Sequence, residues 1–183
     1  MIKIIVPLAN GFEEIEVIVP VDVWRRAGFD VQTVSLTNEL IVTGAHQISV
    51  LADGLFDETD TSDADMIFLP GGMPGAKNLD SHTGLRNLIV SMAQQGKVLG
   101  AICAAPLVLG HNQLLEGKRA TCFPGFEKEL HGAKHTGSSV ETDGNIVTGK
   151  GPGIAMQFAL TIVARFLGES FLKELESKMQ MAR

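Results

Sequence analysis

Cysteine is scarce in this chain, whose 183 residues contain only Cys103 and Cys122. Small secreted proteins that depend on disulfide bonds normally carry a denser set of cysteines. The first residues, Met1 to Val6, read as a strand and lack the basic start and long apolar segment of a signal peptide. We therefore expect a cytoplasmic protein with reduced thiols, in which Cys122 is structural.

Clustered positive charge is also missing. The formal net charge is -6, and no basic run is longer than the pair Arg25–Arg26. Binding to a phosphate backbone requires a concentrated basic surface, so the sequence argues against a nucleic-acid partner. No apolar run approaches the roughly 20 residues that cross a bilayer, so we expect no membrane attachment.

Repeats, low-complexity tracts and linker-like segments are absent from the sequence as well. The length is sufficient for one full hydrophobic core. We therefore expect a single domain over residues 1–183, with a C-terminal helix over about 169–183.

Short apolar strands alternate with amphipathic helices along the chain. The periodicity predicts strands at 4–8, 31–36, 66–69, 98–102 and 146–148, and helices at 13–27, 82–95, 104–110 and 152–167. A small hairpin or edge pair is predicted around Gly44. This alternation is typical of an α/β fold, with a mostly parallel sheet covered by helices on both faces.

Three corners rich in small residues directly follow predicted strands: Asn10–Gly11, Gly71–Gly72 and Cys103–Ala104. Sheets of this type place their ligand sites beyond the carboxyl ends of the strands. We therefore expect the three corners to converge on one site.

Cys103 lies where the strand 98–102 runs into a helix. The positive end of a helix dipole favours a thiolate over a thiol, so this position predicts a lowered pKa and a reactive sulfur. Small neighbours, among them Ala104 and Ala105, permit a tight turn. The alternative is a buried cysteine that packs as a small hydrophobic residue.

Two backbone N–H groups are candidates for stabilising a reacting oxygen. One follows the strand 66–69, at Gly71–Gly72, and the other belongs to Ala104. Together they could form an oxyanion hole beside the sulfur. The alternative is that the glycine pair is only a turn.

Glu13 and Glu16 open the first predicted helix and share one of its faces. A carboxyl group near the core loses hydration, which raises its pKa. In its protonated form it could donate a hydrogen bond to a thiolate and then act as general acid or base. The alternative is that these residues only complement the helix dipole.

Metal and nucleotide sites are not favoured by the sequence. His131 and His135 have a spacing that could present two metal ligands on a helix, but Gly132 and Gly137 favour a surface loop instead. The segment 149–153 lacks the Ser or Thr that follows the lysine of a phosphate-binding loop. We expect no metal and no organic cofactor.

Four segments in the observed order resemble the ThiJ/PfpI superfamily, in particular its branch of bacterial YajL and the parkinsonism-associated protein deglycase. They are residues 11–16, 69–72, 101–106 and 151–153, and the resemblance extends over residues 2 to about 168. It implies a flavodoxin-like three-layer sandwich and a homodimer.

The resemblance also implies roles for individual residues. Cys103 would be the nucleophile and Glu16 the protonated carboxyl group in contact with it. Gly72 and Ala104 would supply the backbone N–H groups. The pocket would be lined by Glu13, Gly71, Phe123 and Pro152.

The function implied by the resemblance is that of a cofactor-independent protective enzyme acting on reactive carbonyls. It would convert methylglyoxal or glyoxal, or deglycate early adducts on proteins or nucleotides. The alternative is a redox-sensing protein or chaperone that uses oxidation of Cys103. A peptidase is disfavoured, because Ala104 and Phe123 stand where relatives carry histidine.

Overall fold

The computed structural model describes residues 1–181. Its strands are β1 (Lys3–Leu8), β2 (Asp30–Ser35), β3 (Ile41–Thr43), β4 (Ser49–Leu51), β5 (Gly54–Leu55), β6 (Met66–Leu69), β7 (Val98–Ile102), β8 (Arg119–Ala120), β9 (Lys134–His135), β10 (Val140–Asp143) and β11 (Ile146–Gly149). Its α-helices are α1 (Glu14–Arg26), α2 (Gly75–Ser81), α3 (Thr83–Gln94), α4 (Pro106–His111) and α5 (Ala155–Lys178).

The central sheet has the strand order β10-β11-β7-β6-β1-β2-β5. All neighbouring strands are parallel except β10 and β11, which are antiparallel. The inner strands β6 and β7 are buried along their whole length. Burial on both faces explains why these strands appear in the sequence as continuous apolar runs.

Helices cover both faces of the sheet. The chain moves from β1 to β2 in one direction across the sheet and from β6 to β7 in the other. Because such crossovers are right-handed, α1 lies on one face, and α2 and α3 lie on the other. In agreement, α1 packs against α5, and α2 packs against α3 and α4. The predicted flavodoxin-like three-layer sandwich is confirmed.

Several short elements are absent from the sequence-based prediction. The segment 75–81 forms α2, although its glycine, asparagine and serine are weak helix formers. The edge strand β10 has no fully buried residue, so it lacks the apolar signal of the inner strands. The predicted hairpin is present as the antiparallel pair β3–β4.

The C-terminal helix differs from the prediction in its end. Gly168 has non-helical backbone angles inside α5, where the sequence analysis places the boundary between two helices. The helix ends at Lys178, short of the predicted position 183; residues 182–183 lie outside the described part of the chain.

The segment Pro152–Lys178 is long and apolar enough to cross a membrane by length and composition alone. This corrects the expectation that no stretch approaches that length. Several of its side chains, including Phe158, Ile162 and Val163, are instead buried in the hydrophobic core.

Candidate active site

The three predicted corners meet at the point where the strand order reverses. This reversal lies between β1 and β6, whose following crossovers run in opposite directions. Backbone hydrogen bonds join the first two corners: the Glu13 N–H donates to the Gly71 carbonyl at 3.0 Å, and the Gly75 N–H donates to the Gly11 carbonyl at 3.1 Å. Cys103 arrives from the neighbouring strand β7, so the corners share one crevice at the carboxyl edge of the sheet.

Cys103 occupies a strained turn between β7 and α4. Its φ angle is 62°, in the left-handed region that side chains rarely adopt. Two backbone hydrogen bonds hold it there: its N–H donates to the Gly149 carbonyl at 2.9 Å, and its carbonyl accepts from the Phe123 N–H at 2.8 Å. The residue is only 8% exposed. The turn therefore fixes the sulfur at a nearly enclosed position.

Glu16 reaches this position from the first turn of α1. Glu13 caps the helix, with its carboxylate accepting from the Glu16 N–H at 2.8 Å. The Glu16 carboxyl accepts from the Gly71 N–H at 2.8 Å through Oε2 and hydrogen-bonds with the Cys103 thiol. Its other oxygen, Oε1, is buried and has no hydrogen-bond partner among residues 1–181. An unpartnered buried oxygen favours the neutral form of the group.

The environment of Glu16 strongly shifts its titration. The pKa of its carboxyl is raised to about 8, mostly by burial and in addition by the charge of Glu13. The Gly71 N–H and the Cys103 thiol act in the opposite direction. Glu16 can therefore exchange a proton near neutral pH, as a general acid or base must.

The Cys103 thiol departs from the sequence-based expectation. Its pKa is raised to about 12, mostly by burial and in addition by the charge of Glu16, while the N–H groups of Gly72 and Ala104 act in the opposite direction. The predicted lowering is therefore wrong. The following helix, α4, is only six residues long and begins at Pro106, so its dipole does not offset the loss of hydration.

Cys103 and Glu16 titrate as a pair. While Glu16 is charged, it disfavours a thiolate; once protonated, it no longer does so. Between about pH 8 and about pH 12 the pair holds one proton and carries one negative charge. This singly protonated pair is the form able to react as a nucleophile.

Glycine is required at the turn beside the pair. A Cβ at Gly71 would lie 2.6 Å from both Cys103 Cβ and Glu16 Oε2. Gly72 has a φ of 86°, and a Cβ there would collide with the Glu13 backbone nitrogen. The two predicted backbone donors, Gly72 and Ala104, both direct N–H groups at the sulfur.

An open cleft of about 310 Å³ adjoins this arrangement. It is lined by Phe123, Pro124, Lys150, Gly151, Pro152, Gly153 and Ile154. Phe123 is 43% exposed, and its backbone N–H bonds to the Cys103 carbonyl, so one wall of the cleft is joined to the turn that carries the sulfur. Of the predicted pocket residues, Phe123 and Pro152 line this cleft, while Glu13 and Gly71 lie on the Glu16 side of the sulfur.

Sequence reasoning missed a polar pair next to the site. The buried Glu14 carboxylate accepts from the His46 backbone N–H at 2.6 Å and lies 2.7 Å from its ring Nδ1. Burial raises the pKa of Glu14, but the hydrogen bonds with His46 outweigh that effect and lower it. The two residues are 32 positions apart, so no local spacing could indicate the contact.

Comparison with known proteins places these features in context. Residues 2–165 match the DJ-1/PfpI family. Over 181 residues the chain is 40% identical to Protein DJ-1 homolog B of Arabidopsis thaliana and 31% identical to the Parkinson disease protein 7 homolog of Danio rerio. These alignments include 98% and 97% of this chain, respectively.

The relatives differ in length. The chain spans 41% of the Arabidopsis protein but 96% of the Danio protein. Among solved structures, oxidized Toxoplasma gondii DJ-1 superimposes with a TM-score of 0.95 at 32% identity, covering 100% of both chains.

Proposed function

The chain belongs to the DJ-1/PfpI family, and from this premise we propose that it is a cysteine-dependent protective enzyme that converts small reactive carbonyl compounds. The observation that carries the proposal is the contact between the Cys103 thiol and the buried Glu16 carboxyl. The expected assignment to the bacterial YajL branch is not specifically supported, because the relatives compared are eukaryotic DJ-1 homologues.

The first step is addition of the sulfur to an aldehyde. Glu16, as carboxylate, takes the thiol proton while the Cys103 sulfur forms a bond to the aldehyde carbon. The electron pair of the C=O π bond moves to oxygen, which receives a proton from Glu16. The product is a hemithioacetal, and Glu16 is again a carboxylate.

The second step moves hydrogen between adjacent carbons. Glu16 removes the proton from the sulfur-bearing carbon, and the electron pair left on that carbon forms the C=C bond of an enediolate, with the negative charge on the oxygen of the neighbouring carbonyl. Glu16 then returns the proton to that neighbouring carbon. The hydroxyl proton on the sulfur-bearing carbon passes to the enediolate oxygen, which leaves a thioester of a 2-hydroxy acid. Water cleaves the thioester and restores the Cys103 thiol, so methylglyoxal plus water becomes lactate without an oxidant or cofactor.

The backbone donors contribute at the charged stages. Gly72 and Ala104 direct N–H groups into the space around the sulfur, where negative charge develops on oxygen. Fixed donors in a water-poor site stabilise such charge strongly. The open cleft bounded by Phe123 and Pro152 offers an approach for a small carbonyl compound. Glycated proteins or nucleotides are larger candidate substrates for the same chemistry.

The test is lactate production from methylglyoxal by purified wild type and by the Cys103→Ser and Glu16→Gln variants. We expect both variants to lose turnover, while Cys122→Ser, which alters the second buried thiol, retains it. Lactate production by Cys103→Ser at the wild-type rate would exclude the proposal.

A second candidate function is oxidation sensing, with or without chaperone activity. The N–H groups at the sulfur and a protonated Glu16 are suitable partners for sulfinate oxygens on Cys103. The Toxoplasma relative, whose structure is of an oxidized form, supports this candidate. Peroxide titration followed by intact mass should show stable addition of two oxygen atoms in wild type but not in Cys103→Ser.

A peptidase mechanism has less support. Within residues 1–181, the groups that shift the pKa of Cys103 are Glu16, Gly72 and Ala104, and none of them is a histidine, so a cysteine–histidine pair is not indicated.

We further propose a homodimer in the cytoplasm. An exposed apolar patch on α1 and the β3–β4 hairpin is suited to a partner surface; it consists of Ile15, Ile18, Ile48 and Leu51. The family resemblance also implies that Arg26 lies near the dimer interface. In the structure Arg26 forms a surface ion pair with Asp22 at 2.6 Å.

A further inference from the structure

A second polar cluster lies at the far end of α4 from Cys103. It joins the end of α2 at Asp80, the end of α4 at His111, and the segment that carries Glu129 and His131. Spacing along the chain pairs His131 only with His135, four positions later. In the structure His111 is half-buried, and its ring lies 5.0 Å from that of His131.

Both ring nitrogens of His111 face carboxylates. Nδ1 lies 2.8 Å from Asp80 Oδ2, and Nε2 lies 2.9 Å from Glu129 Oε2. His111, Glu129 and His131 each offer one ligand atom, and these three atoms lie within 4.8 Å of one another. The cluster therefore brings two imidazoles and a carboxylate together around His111 Nε2.

Hydrogen bonding alone does not satisfy a neutral His111. A neutral imidazole has one N–H, and donation from Nδ1 to Asp80 leaves the Nε2 lone pair facing a carboxylate oxygen. Asp80 Oδ1 is in addition buried and accepts no hydrogen bond from the described part of the chain. Within residues 1–181, the ion pairs that involve Asp80 or Glu129 contain no lysine or arginine. A protonated His111 would donate from both ring nitrogens, and the two carboxylates would still leave the cluster with one negative charge in excess.

We propose that His111 Nε2, Glu129 and His131 bind a divalent transition-metal ion of the zinc class. Two imidazole nitrogens and one carboxylate oxygen form a donor set that zinc accepts, with water completing the coordination. Asp80 would accept a hydrogen bond from the Nδ1–H of His111. A carboxylate in this position fixes the tautomer and orientation of a ligating histidine. The site is separate from the Cys103 crevice and does not depend on the proposed carbonyl chemistry.

The ion would connect three elements that the fold already brings together. Gly110 packs so closely on the Glu129 backbone that a Cβ would collide with its carbonyl oxygen, and α2 packs against α4. A shared ion would tie the end of α4 to both neighbours. We therefore expect zinc to stabilise the folded chain, since it binds the folded state selectively.

The test uses zinc chloride and tag-free protein in a Cys103→Ser background, which removes the competing thiol site. Calorimetric titration should show one zinc ion per chain and a higher Tm than in chelator. His131→Ala should weaken binding at least tenfold and remove the Tm shift. Asp80→Asn should weaken it about 10- to 100-fold, the usual effect of losing the partner of a metal ligand.

His135→Ala is the matched control. His135 is an exposed histidine four positions from His131, outside the cluster, and its removal should leave zinc affinity unchanged. His131 is itself exposed, so His131→Ala should keep the Tm of its parent in chelator. Absence of zinc binding to the parent, equal affinity in His131→Ala, or equal weakening in His135→Ala would each overturn the proposal.

Discussion

The Gly71 N–H donates to Glu16 Oε2 at 2.8 Å, and this bond fixes the acid group beside the sulfur of Cys103. The bond joins residues 55 positions apart, from the loop after β6 and from the first turn of α1. Gly71 also accepts from the Glu13 N–H, so one glycine positions both the helix start and the carboxyl. The reactivity of Cys103 therefore depends on the turn at Gly71 as well as on the turn that Cys103 itself occupies.

Substitution of Gly71 by alanine should disrupt the site. The added Cβ would lie 2.6 Å from Cys103 Cβ and Glu16 Oε2, so one of the two side chains must move. We expect methylglyoxal turnover to fall at least tenfold and the free energy of unfolding to decrease by about 1–3 kcal/mol, as for other overpacked positions. Gly84→Ala, in α3 and outside the site, is the control, because a Cβ there meets only side-chain atoms, at 3.3 Å or more. Comparable losses in both variants would contradict this role for Gly71.

The pH dependence of the Cys103 alkylation rate should show that Cys103 and Glu16 share a proton. In wild type the pair loses its first proton near pH 8, so the rate should rise with an apparent pKa of about 8. In Glu16→Gln this inflection should disappear, and the rise should occur above the ordinary thiol pKa of 9.0, because burial still opposes the thiolate. Iodoacetamide labelling followed by intact mass in a Cys122→Ser background measures both profiles. Identical profiles would argue against coupling.

Glu16 should make stability depend on pH. Its pKa is 4.5 when unperturbed and about 8 in the fold, so the folded state holds one more proton between these values. The stabilisation is fully present below pH 4.5 and is lost as the pH rises through 8. Relative to Glu16→Gln, wild type should lose up to about 1.4 kcal/mol for each pH unit in this window. Urea unfolding across the window measures the difference; a difference that does not change with pH would contradict the raised pKa.

The proposed dimer should depend on the apolar patch. Leu51 is 71% exposed, and a charge buried there on association would lack a partner. We expect wild type to remain dimeric by light scattering at micromolar concentration and Leu51→Glu to be monomeric. Leu167→Glu, at an exposed leucine on α5 outside the patch, should remain dimeric. A monomeric wild type would remove the proposal, and a dimeric Leu51→Glu would place the interface elsewhere.

The sequence by itself determined the layered architecture and the position of the crevice. The fully buried strands β6 and β7 match the predicted 66–69 and 98–102, because burial on both faces produces continuous apolar runs. Once the strands are parallel, their carboxyl ends share one edge of the sheet. The corners at Gly71 and Cys103 had to meet there.

Only the tertiary structure decided which side chains meet and how they titrate. The predicted direction of the Cys103 pKa was wrong, because hydration is lost to packing from several elements and the helix that follows is short. Local spacing paired His131 with His135, whereas folding places His131 beside His111, twenty positions earlier. Such contacts depend on how elements distant in the chain pack together, and the periodicity of a single segment carries no information about that packing.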